Sequence, residues 1–277
     1  TYLLESIFQA AGKKVGVIGT VNCRIAGKTV PSTHTTPGPA ELQKLLVEMK
    51  AAGCEVVVME VSSHALKQRR VSGVLFDAVA FSNLTPEHLD YHPDIEDYYQ
   101  SKKLLFTEQA ERSGRRGKNT LLCVNSEDSF GARLAKDLLA SQRKVVTYAV
   151  PPAPAWTADR LGVRGSVQGV PFHSNLAGRF NASNIQCAIS LAIALKIDPA
   201  VIARGIEALP FVPGRMQAVP NSGNLSIWVD YAHKPDALEK VLQNLQAERK
   251  TGRLWTVFGC GGDRDRSKRP VMAEIAE

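Results

Sequence analysis

A lysine occupies a position on the chain where an apolar side chain is the usual choice. If the segment from Asp94 is helical, Ile95, Tyr98, Tyr99, Lys102 and Phe106 recur at helical spacing and share one greasy face. Lys103, the next residue, is turned away by ~100°. An ammonium held in an apolar stripe is costly, so burial lowers its pKa toward the neutral amine. A neutral amine adds CO₂ to give a carbamate, a long carboxylate able to bind Mg²⁺. The alternative is a lysine whose tip reaches water past its apolar stem.

Other polar groups fall where apolar runs end. Glu60 closes Val-Val-Val-Met-Glu, a place suited to an Mg²⁺-directed carboxylate or to a solvated strand-end charge. His88 lies in a stretch with two histidines and two carboxylates. Thr85 and Pro86 there suit the cap and first turn of a short helix. Thr35 and Thr36 precede Pro37-Gly38-Pro39 and a predicted helix, whose free N–H groups can bind an anion or simply be capped. Gly259 to Arg264 joins a predicted strand to a predicted helix through glycines. Arg264 is of the type that clamps a carboxylate with two parallel hydrogen bonds.

Positioning these groups is the task of alternating strands and helices. Short apolar runs at Val15–Ile18, Val56–Met59, Ala78–Phe81, 120–124 and Val145–Tyr148 read as buried strands. Helical spacing is found at 41–52, 94–109 and 132–140. The pattern implies an α/β fold with a mostly parallel sheet flanked by helices, and ligands beyond the strand ends. Prolines 151, 152 and 154 break the rhythm. Residues 156–176 read as a small β insertion, and 181–195 as a helix. Val212-Pro213-Gly214 reads as a hinge, after which strand, helix and strand recur at 227–229, 236–245 and 254–258. The chain thus divides into 1–213 and 214–277, the latter too short for a complete doubly wound domain.

Bulk composition narrows the function classes. The 277 residues are 44% hydrophobic and 22% charged, which is globular, and no apolar run is long enough to span a bilayer. A net charge of +7 admits anionic partners. With only 6% aromatic residues and no basic-aromatic interleaving, a nucleotide fits better than a nucleic acid. Five scattered cysteines show no metal-binding spacing, and their odd number opposes a disulfide framework. They read as reduced thiols of a cytoplasmic protein.

Seven segments, in order, carry a resemblance that covers nearly the whole chain. They are His34-Thr-Thr-Pro-Gly-Pro39, Met59-Glu-Val-Ser-Ser-His-Ala-Leu66, Asn83-Leu-Thr-Pro-Glu-His-Leu-Asp-Tyr-His92, Gly178-Arg-Phe-Asn-Ala-Ser-Asn184, Pro213-Gly-Arg-Met216, Val229-Asp-Tyr-Ala-His-Lys-Pro-Asp-Ala-Leu238 and Phe258-Gly-Cys-Gly-Gly-Asp-Arg-Asp265. Together they resemble the Mur ligase family, ATP-dependent enzymes that build the peptide of cell-wall precursors. The resemblance implies a P-loop NTPase-like central domain over 1–213 and the start of a Rossmann-like C-terminal domain over 214–277.

It further implies ATP and Mg²⁺ as cofactors, with Glu60, His88 and a carbamylated Lys102 as metal-holding catalytic residues. Thr35, Thr36, Ser62, Gln68 and Arg70 would contact UDP-N-acetylmuramoyl-L-alanyl-D-glutamate, and Arg264 the incoming meso-diaminopimelate. Asn181, Asn184, Arg215 and Asp230 would contact ATP. The run Gly262-Asp-Arg-Asp265 is the form of the diaminopimelate-adding branch. A lysine-adding ligase and a folylpolyglutamate synthase are the alternatives within the chemistry, and a non-catalytic nucleotide or nucleic-acid binder the alternative outside it. No nucleic-acid or membrane partner is expected, and a monomer is. The family's Gly-Lys-Thr-Thr phosphate loop has no counterpart at Ala11-Gly12-Lys13-Lys14, so these 277 residues alone are expected to be inactive.

Overall fold

The computed structural model describes residues 1–31, 34–150, 155–159, 161–223, 225–249, 251–260, 266 and 268–277. Helix α1 (Tyr2–Ala10) is followed by β1 (Val15–Ile18), β2 (Cys23–Ile25), β3 (Lys28–Val30), α2 (Pro39–Ala51) and β4 (Val56–Met59). These strands form a sheet in the order β3-β2-β1-β4. Strands β1 and β4 run parallel, from Val15 opposite Val56 to Ile18 opposite Met59. Every residue of β1 is buried, as a strand covered on both faces requires. The antiparallel hairpin β2–β3 goes beyond the expected parallel sheet. Its three-residue strands are too short to show a period, and the turn between them uses positive φ at Ala26 and Gly27. Pro39 opens α2 where its missing N–H costs nothing.

Next come α3 (Ser63–Lys67), β5 (Ala78–Phe81), α4 (Ile95–Lys103), α5 (Glu108–Gly114), β6 (Leu121–Asn125), α6 (Ser129–Ala140) and β7 (Val145–Tyr148). Strands β5, β6 and β7 form a separate parallel sheet. The helix expected over 94–109 is two helices, α4 and α5, because the turn between them leaves the α-helical hydrogen-bond pattern. The chain instead tightens into bonds from Leu105 N–H to Lys102 O (3.2 Å) and from Phe106 N–H to Lys103 O (2.9 Å).

The expected single parallel sheet is therefore divided. Strand β4 ends one sheet, β5 ends the other, and no ladder joins them among the described residues. Consecutive residues 56–61 and 73–83 line a cavity of about 1990 Å³. Side chains alternate between faces along a strand, so an unbroken run of lining residues marks a strand's edge. The two halves share their apolar covering. On one side Leu4 packs against the cluster of Phe8, Val15 and Val17 and also against that of Cys123, Tyr148 and Leu191. On the other, one cluster contains Ile18, Met49 and Leu66 together with Val79, Phe81 and Phe106.

The β insertion is a three-stranded antiparallel sheet of β8 (Trp156–Asp159), β9 (Gly162–Val167) and β10 (Val170–Ser174). Helices α7 (Phe180–Ala194) and α8 (Pro199–Glu207) follow, and α8 was not foreseen. It packs so closely on α1 that a Cβ on Gly205 would stand 2.4 Å from Ile7 Cα. Past the hinge come β11 (Gln217–Ala218), β12 (Trp228–Val229), α9 (Pro235–Glu248) and α10 (Lys268–Ala276). The strand expected at 254–258 does not form. Trp255 is 80% exposed and Val257 98%, so this apolar run has no layer to bury against among the described residues.

Candidate active site

Parallel strands deliver the polar groups. Strand β1 runs out at Gly19 and Thr20, β4 at Glu60, β5 at Ser82 and β6 at Asn125. Most of these residues line the cavity, which thus opens at the carboxyl ends of both sheets. Asn125 Nδ2 donates to Ser82 O at 2.7 Å, fixing one strand end against the next.

Glu60 is anchored from several sides. Its Oε2 accepts from Thr20 N–H (3.0 Å) and Thr20 Oγ1 (2.6 Å), and its Oε1 from Thr1 Oγ1 (3.3 Å). The approach needs Gly19, where a Cβ would lie 2.9 Å from Glu60 Oε1. Thr36, only 1% exposed, donates its hydroxyl to Glu60 O (2.9 Å) and accepts Ser62 N–H (3.0 Å). One buried hydroxyl therefore sets the bend between β4 and α3. Thr35 Oγ1 lies 3.1 Å from Thr20 Oγ1. Ser62 caps α3 by accepting Ala65 N–H at 3.2 Å. Arg70 donates to Thr36 O (3.0 Å) and to Gln68 Oε1 (2.8 Å through Nε).

His88 adopts φ +59, and the residues before it form a loop where a short helix was expected. A left-handed residue cannot continue a right-handed helix, and the turn closes instead as His92 N–H bonds back to His88 O at 2.8 Å. Its Nε2 is 3.1 Å from Glu87 Oε1. Burial lowers the His88 pKa more than Glu87 raises it, which favours the neutral, metal-competent ring. Glu87 also pairs with Lys234, across the hinge. Burial is the largest influence on the Glu87 carboxyl and pushes it up, but the hydrogen bond and charge of Lys234, with the charges of His88 and Lys102, together outweigh it and leave the pKa lowered.

Lys102 lies on the buried stripe of α4, its Nζ 5.0 Å from the centre of the Tyr98 ring. It forms no hydrogen bond or ion pair among the described residues. Burial lowers its pKa, opposed by Glu87 and assisted by Lys234. Of the buried and the water-reaching amine that the sequence left open, the lowered pKa favours the buried one.

Glu60, His88, Lys102, Thr35, Thr36, Ser62, Arg70, Asn184, Arg215 and Asp230 all line this one cavity. Gln68 and Asn181 do not. Gln68 is engaged with Arg70 and Tyr91 outside it. Asn181 is buried at the start of α7, its amide donating to Ala177 O (2.6 Å) and its oxygen accepting from Asn184 (3.0 Å), so it positions Asn184. Arg264 lies outside the described residues. Asp230 accepts Met216 N–H and Ala232 N–H, each at 2.8 Å, which spends its carboxylate on the hinge backbone. Arg215 lies over the Tyr231 ring, 5.2 Å from its centre.

Sequence reasoning gave no role to Thr20, Glu87 or Lys234. Thr20 carried one usable signal, its place just past an apolar run. Glu87 and Lys234 stood within quoted motifs, but nothing in either segment announces their pairing.

Among the described residues no three His, Cys, Asp or Glu side chains gather closely enough to hold a metal alone. The donors present are a carboxylate, a neutral imidazole and an amine that ligates only as its carbamate. Mg²⁺ is usually held by one or two protein groups together with phosphate oxygens and water. The set fits an ion that arrives with a nucleotide.

Comparison with known proteins gives the family. A Mur ligase middle-domain model matches residues 1–192, and a model of the Mur ligase glutamate ligase domain matches 214–277. UDP-N-acetylmuramoyl-L-alanyl-D-glutamate–2,6-diaminopimelate ligases of Geobacter metallireducens and Geobacter sulfurreducens are 46% and 45% identical over 100% of this chain. The chain spans 55% of the length of each. A solved structure of a ligase of that name superposes with a TM-score of 0.72 at 30% identity, over 99% of this chain and 56% of its own. A folylpolyglutamate synthase bound to AMPPCP and folate superposes at 0.67 and 17% identity, over 99% of this chain and 73% of its own, a likeness of fold alone. The chain belongs to the Mur ligase family.

Proposed function

We propose that this chain is the catalytic middle of an ATP-dependent ligase that joins meso-diaminopimelate to UDP-N-acetylmuramoyl-L-alanyl-D-glutamate in the cytoplasm. The observation that carries the reading is one cavity at the strand ends that holds Glu60, His88 and the desolvated Lys102. The diaminopimelate ligases at 46% and 45% identity supply the substrate class. In this reading 1–213 form the nucleotide-binding body and 214–277 begin a second domain hinged at Pro213-Gly214. No helix among the described residues is long and apolar enough to cross a membrane.

A carboxylate resists an amine because its charge repels the nucleophile and oxide is a poor leaving group. An oxygen of the D-glutamate side-chain carboxylate attacks the γ-phosphorus of ATP, and ADP leaves. The amine of the diamino acid then attacks the acyl carbon, loses a proton and expels phosphate. Bound Mg²⁺ would neutralise the crowded phosphate and carboxylate charges. Glu60, the neutral His88 ring and the Lys102 carbamate would hold it. Thr35, Ser62 and Arg70 orient the acceptor substrate above the buried Thr36, whose hydroxyl is spent on the backbone of 60–62; Asn184 and Arg215 face the nucleotide, and Arg264 receives the diamino acid. The hydroxyl and backbone bonds that hold Glu60 let it meet developing charge without rearrangement.

The test joins the chain to the flanking segments of the Geobacter metallireducens relative and measures phosphate release. Release should require ATP, Mg²⁺, the UDP-muramoyl dipeptide and diaminopimelate together, and lysine should not substitute. Release with lysine at equal rate would sink the substrate assignment. Lys102→Ala should lower the rate about 100-fold, with partial recovery on adding a short carboxylic acid. An unchanged rate would remove the carbamate from the mechanism.

A further inference from the structure

Beneath the cavity three residues form a chain that the proposed reaction does not use. His92 is 0% exposed, and both of its ring nitrogens are engaged. Nδ1 lies 2.6 Å from Asp97 Oδ2, and Nε2 lies 2.9 Å from Ser63 Oγ. An ionised carboxylate only accepts, so Nδ1–H donates to Asp97. Asp97 is itself held by Lys67, at 2.9 and 2.7 Å to its two oxygens. The order serine, histidine, aspartate is that of an activated nucleophile. Here it cannot serve as one, because Ser63 is 2% exposed and neither it nor His92 nor Asp97 lines the cavity.

What the chain does connect is two helices. Ser63 and Lys67 belong to α3, whose start is bent into place by Thr36, whereas Asp97 belongs to the first turn of α4. The His92 ring packs against Tyr98 with centroids 5.1 Å apart and planes at 32°. Tyr98 is in turn the floor of the reacting groups, since Lys102 Nζ lies over its ring at 5.0 Å and His88 meets it at 5.7 Å. Position is thus passed from α3, through two hydrogen bonds and two stacked rings, to the amine and the imidazole.

We propose that His92 is a positioning residue, suspended between Ser63 and Asp97, that holds Tyr98 as the seat of Lys102 and His88. The functional importance of that seat rests on the ligase reading above, but the placement of Lys102 does not, and the test reads placement. Lysines are labelled with acetic anhydride in the 277-residue chain and the rates followed by mass spectrometry, with Lys103 as internal control. Lys103 lies on the same helix but is paired with Asp137 at 2.6 Å.

Ser63→Ala, which touches neither Tyr98 nor Lys102, should raise the Lys102 rate about fivefold, the worth of one net hydrogen bond. His92→Phe, which keeps a ring against Tyr98 and loses both links, should raise it further, with Lys103 unmoved in both. If His92→Phe does not fold, Ser63→Ala decides. An unchanged Lys102 rate in folded Ser63→Ala overturns the proposal. So does an equal rise at both lysines, which would mean general loosening. Covalent labelling of Ser63 by a fluorophosphonate would also overturn it, by making the serine a nucleophile.

Discussion

Single residues in this site are set by what lies one bond away. His64 and His88 both have lowered pKa values, with burial the largest cause in each, and each ring also feels neighbouring positive charge. A histidine that is harder to protonate folded than unfolded withdraws stability as pH falls below about 6.5, its unfolded value. The withdrawal continues until the lowered folded pKa is passed. Glu87 and Asp97 act in a separate window. Their lowered pKa values give stability that is present above the ordinary carboxylate range and lost below it. The melting temperature should therefore fall in two steps on acidification, the first setting in as pH drops below about 6.5. Replacing both histidines by glutamine should flatten that first step, and an undiminished step would refute the assignment. Lys102 was legible in the sequence because its neighbours announce a stripe. The Glu87–Lys234 pair was not, because charge pairing across many residues leaves no local pattern.

At the scale of elements, contacts between helices depend on residues with no chemistry of their own. Gly205 is the point where α8 meets α1, with the Ile7 backbone 2.4 Å from where a Cβ would sit. Helix propensity alone would make Gly205→Ala stabilising, since alanine is the better helix former. Here backbone stands in the way, and overpacking wins. The substitution should destabilise by about 1–3 kcal/mol in urea unfolding, and a gain in stability would show that the helices can separate freely. Strands β1, β4, β5, β6 and β7 were readable because each is a short β-branched or otherwise apolar run between polar ends. The break between α4 and α5 was not, because the residues across it fit a helical count and neither proline nor glycine marks the turn. Residues 254–258 failed in the opposite way, since a β-prone run without a neighbouring layer does not become a strand.

For the molecule as a whole, the parallel α/β plan was legible in the alternation of patterns, whereas its division was not. Periodicity says that a strand exists but not which strand it joins. Along β4, Val56 N–H donates to Lys14 O at 3.3 Å, just before β1, and Glu60 N–H to Ile18 O at 2.9 Å, which leaves Val57 and Met59 facing the cavity. Along β5, Asp77 O accepts Leu121 N–H at 2.8 Å, so Ala78 and Ala80 face the same gap from the far side. Hydrogen exchange should be fast at Val57, Met59, Ala78 and Ala80 and slow at Val58, Glu60, Val79 and Phe81. Equal protection at both sets would mean that the edges are closed.

The missing ladder also bears on how the fold comes apart. Among the described residues, backbone ladders knit each half internally while packed side chains bridge the two, so the seam can yield while both halves keep their strands. Denaturant melting followed at labels on β1 and on β6 should then give two midpoints, the mark of a body whose parts lose order in turn.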